Sequence, residues 1–156
     1  MDEIDARILH LLAQNANATA TEIGGAVNLS IPAVNKRIQK LQRDGLIRNF
    51  TVLTEGEKVG KPITAFVLLV LQSASHAQLL QDYVDSDPDI LECYAVTGEY
   101  DYILRLCAAD VKSLEDKLLC LKRRKGVAKS HTMLALMEHK FQPSPLPDLP
   151  GKEFHP

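Results

Sequence analysis

The sequence predicts an α+β chain in two parts, three short helices followed by a βαββαβ sheet. Three observations predict it. Apolar residues recur at helical spacing as far as residue 45, a polar glycine-rich stretch follows, and from Ile63 short β-rich runs alternate with two amphipathic segments.

The first helix is read from Ile4, Ile8, Leu11 and Leu12, which share one face, with Asp2, Glu3 and Asp5 at its positive end. Asn15 to Ala18 breaks it. Thr19-Ala20-Thr21-Glu22 is a capping-box sequence, and Ile23, Ala26 and Val27 then face inward. Asn28-Leu29-Ser30 makes a tight turn: Asn tolerates a left-handed backbone, Leu29 plugs the core and Ser30 suits an N-cap. Pro32 sits harmlessly in the first turn of a third helix, Val34, Ile38 and Leu41 are its inner face, and Gly45 ends it. Two helices joined by so short a turn make a helix-turn-helix. Leu46 to Leu53 is β-rich and predicts a small wing.

That third helix is cationic within a chain of net charge −2. From Asn28 to Phe50 there are five cations, Lys36, Arg37, Lys40, Arg43 and Arg48, against the single anion Asp44. With the apolar stripe buried, Asn35, Lys36, Gln39, Lys40, Gln42 and Arg43 fall outside. Lys36, Arg37, Lys40, Arg43 and Arg48 suit phosphates, and Asn35 and Gln39 suit base edges. Ser30, at the helix start, completes the predicted DNA-contacting set. A solvated lysine face is the competing interpretation of the cations alone; the capped helix pair, the tight turn and the glycine stop favour DNA.

Thr54 to Pro62 is the predicted linker. Beyond it, Ile63 to Gln72 is a strand. Ser75 to Asp85 is a helix capped by Ser75, with Leu79, Leu80 and Val84 inward. Ile90 to Thr97 and Tyr102 to Ala108 are strands around a Gly98-Glu99-Tyr100-Asp101 turn. Asp110 caps a helix burying Val111, Leu114, Leu118, Leu119 and Leu121, and Val127 to Glu138 is the last strand. This order is the ferredoxin-like arrangement, which packs helices on one face of a sheet; apolar residues on the other face predict dimerisation through it. Lys122-Arg123-Arg124-Lys125 suits a helix C-terminus more than a DNA contact. The tail from Gln142 has prolines at 143, 145, 147, 150 and 156 and reads as an extended arm, laid on a partner subunit or disordered.

Composition excludes other classes. The three cysteines, Cys93, Cys107 and Cys120, are too scattered for a zinc site and read as buried thiols of a reducing cytoplasm, with Cys93 facing Cys107 across a hairpin as the lesser, redox alternative. The five histidines form no metal-ligand pair, and no nucleophile elbow or phosphate loop is present, so an enzyme is not expected. No cofactor is expected. MDEIDARILHLL is not a signal sequence and no apolar run spans a membrane, so a cytoplasmic protein without membrane contact is expected.

Three segments together resemble one family. Asp5-Ala6-Arg7-Ile8-Leu9, the series Leu29-Ser30, Ala33-Val34, Arg37-Ile38, Leu41, Gly45 and Ile47, and Val96-Thr97-Gly98-Glu99-Tyr100-Asp101-Tyr102 resemble the Lrp/AsnC (feast/famine) transcription regulators. Gly126-Val127 and Thr132 resemble that family's last strand. Asn28, where the family often has Gly, and the Pro-rich tail depart from its pattern. The resemblance implies a winged helix-turn-helix DNA-binding domain over 1–53, a linker over 54–62, a βαββαβ amino-acid-binding and oligomerisation domain over 63–140, and a Pro-rich tail over 141–156. It implies double-stranded DNA as partner, and homodimers assembling to octamers. It also implies an amino-acid effector at contacts between dimers, held by the Gly98, Glu99, Tyr100 and Asp101 turn: Asp101 for the ammonium, backbone N–H groups for the carboxylate, with Ser130 and Thr132 as polar neighbours. Leu68, Leu104, Met133 and Leu134 nearby favour an apolar effector such as leucine or methionine, controlling genes of amino-acid metabolism. An amino-acid sensor acting through protein partners without DNA is the alternative, disfavoured by the intact cationic helix.

Overall fold

The computed structural model describes residues 1–124 and 126–150, with all their side chains except that of Arg124. Lys125 and the Arg124 side chain of the basic cluster, and the last six residues of the tail, lie outside the described residues. The described residues form two compact units: residues 1–52 together with 140–150, and Leu53–His139.

In the first unit, α1 (Glu3–Gln14), α2 (Ala20–Val27) and α3 (Ile31–Arg43) enclose Ile8, Leu12, Ile23, Val27, Val34 and Leu41. The local signals are realised. Thr19 and Glu22 form the capping box, Asn28 adopts the left-handed conformation at φ 55°, and Gly45 follows α3 at φ 75°. A second capping box, unforeseen, links Asp2 and Asp5 at the start of α1. Ser30 occupies the N-cap position of α3, but its hydroxyl makes no cap hydrogen bond.

The wing does not form: Leu46 to Leu53 contains no strand, and Val52 is 83% exposed. β-propensity does not suffice where the chain offers the segment no strand to pair with.

The second unit is a four-stranded antiparallel sheet ordered β2-β3-β1-β4, from β1 (Ile63–Leu71), β2 (Ile90–Ala95), β3 (Tyr102–Ala108) and β4 (Val127–Leu134). The helices α4 (Ala77–Ser86) and α5 (Val111–Arg124) contribute Leu80, Leu114 and Leu121 to its core. Strand alternation decides the faces. Ala65, Val67, Leu69, Leu104 and Leu106 are fully buried in that core, whereas Phe66, Leu68, Val70 and Ile103 point to the other side and are only half-buried.

Several expectations are corrected here. A 3-10 turn, Ala74–His76, precedes α4, so Ser75 is not its cap. Leu79, Val111 and Leu119 are exposed. The core stripes run through Leu80, Tyr83 and Val84 and through Leu114, Leu118 and Leu121, and Leu79 and Leu119 each lie one position off a stripe, about 100° around the helix. Val111 is the first residue of α5, ahead of that stripe. The last strand stops at Leu134 rather than Glu138, with Leu136 and Met137 exposed. Cys93 does not face Cys107: its register partner is Leu104 and it packs against the core, while Cys107 pairs with Thr64. All three thiols are half-buried.

A charge network ties α5 to the β2 approach. The Lys117 ammonium donates to both Asp87 oxygens, at 2.8 and 2.7 Å, and lies 3.1 Å from Asp89, which also accepts from Lys61 at 2.8 Å. Hydrogen bonding by Lys61, then by Lys117, holds the Asp89 carboxyl below its usual range despite partial burial. A depressed carboxyl contributes stability that is present above its unfolded value and lost as pH falls through the folded one. The Lys117→Met chain is therefore expected to be less stable at pH 7 but to lose less stability between pH 4 and pH 2 than the parent, by urea titration. An unchanged acid loss would contradict this coupling.

Candidate functional site

Helix α3 presents its outer face because its inner one is fixed. Val34 and Leu41 are buried, Ile38 packs against the same core, and Asn35, Lys36, Gln39, Lys40 and Arg43 are all exposed. Their spacing of i, i+1, i+4, i+5 and i+8 gathers them on one side. Arg43 has only an exposed 3.6 Å pairing with its neighbour Asp44. Arg48 lies exposed just beyond, and the uncapped Ser30 hydroxyl is exposed at the α3 N-terminus, where the first-turn N–H groups favour an anion.

Arg37 differs from the rest. Its guanidinium turns back to α1, 2.7 Å from Asp2 Oδ2 and 2.6 Å from Asp5 Oδ1. Asp5 is nearly fully buried, the one buried charged residue among those described, and its second oxygen accepts the Asp2 N–H. The hydrogen bond from the Asp5 backbone and the Arg37 contact hold the Asp2 carboxyl below its usual range, and the same two aspartates raise Arg37 further. Sequence spacing placed Arg37 with the cations but not its partners, which are 35 and 32 residues away.

In the second unit, a cleft of about 350 Å³ is lined by Leu71, Ser73, Ala74, Ala77, Ala95, Val96, Asp101 and Tyr102. Its lining residues are mostly apolar, with hydroxyls on Ser73 and Tyr102 and one carboxylate, on Asp101. Asp101 is positioned twice: its backbone N–H donates to the Leu69 carbonyl, and Oδ2 accepts the Leu71 N–H at 2.8 Å. The turn before it closes through the Val96 N–H to the Asp101 carbonyl, with Gly98 at φ 118°, a conformation that favours glycine.

Of the six effector residues expected from the sequence, Asp101 alone lines this cleft. Gly98 and Glu99 lie in the adjoining turn, and Tyr100 stacks beneath the Lys129 ammonium, 4.9 Å from the ring centre. Ser130 and Thr132 pair with Leu69 and Val67 on the β4 side of β1, so Ser130 and Asp101 flank β1 from opposite edges, about 10 Å apart by strand spacing. The apolar neighbours also separate: Leu104 is core, while Leu68 and Met133 lie on the opposite sheet face. Sequence reading missed Ser73, Ala74 and Ala77, which reach the cleft through the turn between β1 and α4, where no spacing pattern marks them. Among the described residues no group of side chains could hold a metal ion, and no helix is long and apolar enough to cross a membrane.

Two family models match successive parts of the chain. Residues 1–42 match the AsnC-type helix-turn-helix domain, and residues 64–145 match the Lrp/AsnC ligand binding domain. The HTH-type transcriptional regulator FL11 of Pyrococcus abyssi is 31% identical over 140 residues, covering 90% of this chain and 92% of that protein. The glutamate uptake regulatory protein of Zymomonas mobilis is 32% identical over 152 residues, covering 93% and 92%. A Neisseria meningitidis transcriptional regulator solved with L-Met superposes at a TM-score of 0.89, with 28% identity and coverage of 94% and 96%.

Proposed function

The chain belongs to the Lrp/AsnC family of DNA-binding transcription regulators, not enzymes, whose second domain takes a small ligand, and from that premise we propose how its own residues serve each task. The exposed face of α3 enters the major groove. Lys36, Lys40, Arg43 and Arg48 hold phosphates, with Ser30 at the helix start, and Asn35 and Gln39 read bases. Arg37 is a positioning residue that fixes α3 against α1. The half-apolar open face of the sheet joins two copies, dimers assemble further to octamers, and two α3 helices then sit one DNA turn apart, about 34 Å.

The effector is an apolar amino acid, leucine or methionine, in the Asp101 cleft. The carrying observation is the cleft's chemistry: one carboxylate for an ammonium, walls mostly of apolar residues with Ser73 and Tyr102 as the other polar side chains, and no cationic side chain in the lining. An acidic side chain such as glutamate's would enter such a cleft unpaired. The methionine complex of the Neisseria relative supports the same reading. A thermal-shift panel of the twenty amino acids tests it. Leucine or methionine at a hundred times its dissociation constant is expected to add about 2.7 kcal/mol. Asp101→Asn, which keeps an acceptor for the Leu71 N–H, is expected to abolish the rise. A rise with glutamate alone, or one untouched by Asp101→Asn, would overturn the assignment.

A further inference from the structure

The C-terminal arm does not stay free. Every residue from Met133 to Pro145 is exposed, and then burial returns: Leu146, Pro147 and Leu149 are half-buried, in the unit that holds the three helices. The anchor is a hydrogen bond from His10 Nε2 of α1 to the Pro147 carbonyl, 2.7 Å long. A carbonyl oxygen only accepts, so the ring nitrogen carries the proton, as the neutral Nε2–H tautomer or as imidazolium.

We propose that Leu146, Pro147 and Leu149 form an intramolecular clasp on α1, so that the DNA-binding unit is tethered to the ligand-binding unit at both of its ends. The chain passes between the units once near Val52 and again near Lys140. The clasp lies beyond residue 145, where the match to the ligand binding domain model ends. Its composition suits the task. Prolines at 143, 145, 147 and 150 hold the arm extended before it docks, which reduces the entropy lost on docking. Covalent attachment gives the segment a high effective concentration, so one hydrogen bond and two leucines suffice in cis where they would not in trans. The second tether limits the swing of the DNA-binding unit and gives rearrangements of the ligand-binding unit a second route to α1, through the arm and the non-covalent clasp. This inference does not depend on which effector is bound.

Backbone NMR relaxation of the full chain tests it. The amides of Leu146 and Leu149 are expected to show order parameters near those of the helices, about 0.85, while those of residues 136–142 fall below about 0.6. His10→Ala and, separately, Leu149→Ser are expected to release 146–149 to the lower value with α1–α3 still folded. Labelled parent chain mixed with excess unlabelled His10→Ala chain is expected to keep its ordered segment, because the clasp closes on its own α1. Mobility of 146–149 in the parent chain, or order that survives both substitutions, would overturn the clasp. Loss of order in the mixed sample would overturn its intramolecular form.

Discussion

Replacing Arg37 by Ala is expected to destabilise the helix-turn-helix unit by about 3 kcal/mol, the cost of breaking a buried ion pair by removing one partner. Asp5 is the reason. Its carboxylate is almost wholly buried, and Arg37 supplies its counter-charge at 2.6 Å. Without the guanidinium a buried carboxylate is left with the Asp2 N–H alone. Adding Asp5→Asn removes the unpaired charge while keeping an acceptor for that N–H, so the double variant should recover part of the loss, a non-additivity characteristic of direct contacts. Urea unfolding followed by helical circular dichroism measures both effects. A loss below about 0.5 kcal/mol for Arg37→Ala, the range of ordinary surface substitutions, would remove Arg37 from its positioning role.

The second large effect comes from adjacent glycines with opposite surroundings. A Cβ on Gly24 would lie 2.6 Å from the Leu29 carbonyl oxygen, because the turn between α2 and α3 folds back onto α2 there, with the Leu29 N–H donating to the Gly24 carbonyl at 3.0 Å. Backbone cannot move aside as a side-chain end can. Gly24→Ala is therefore expected to cost about 2–3 kcal/mol, as overpacking does, and to displace α3. Gly25 has nothing within 4 Å of the same position and is exposed, so Gly25→Ala is expected to stabilise by about 0.5–1 kcal/mol through helix propensity. The sign difference between neighbours is what separates close approach from propensity. Equal effects of the two substitutions in thermal unfolding would contradict it.

How much of this was legible in the sequence follows from how local each determinant is. The Thr19–Glu22 capping box, the left-handed Asn28 and the Gly45 stop depend on residues a few positions apart, and the sequence displays them. The Asp2–Asp5 box has the same spacing and was legible but overlooked. The element order βαββαβ was legible from the run of β-rich and amphipathic segments, while the inner face of the sheet emerged only with the strand pairing. What failed was tertiary. Arg37 looked like its cationic neighbours until α1 supplied two carboxylates. Leu79 and Leu119 looked buried because leucine usually is, yet each lies off its helix's stripe. The wing failed because a strand is a relation between two segments, and composition describes only one. In the ligand-binding unit the sequence motif pointed to Asp101, but part of the lining of the cleft beside it comes from Ser73, Ala74 and Ala77, between β1 and the start of α4, which no motif marked.

The measurement that tests the central claim most directly is the salt dependence of binding to duplex DNA by the parent chain, Lys40→Ala and Arg37→Ala, at a temperature where all three are folded. Each phosphate contact contributes about 0.9 to the slope of log K against log salt concentration. If α3 faces DNA through its exposed cations while Arg37 serves inward, Lys40→Ala lowers the slope by about one and Arg37→Ala leaves it unchanged. A slope that falls in Arg37→Ala and not in Lys40→Ala would show that a different face of the helix meets the DNA.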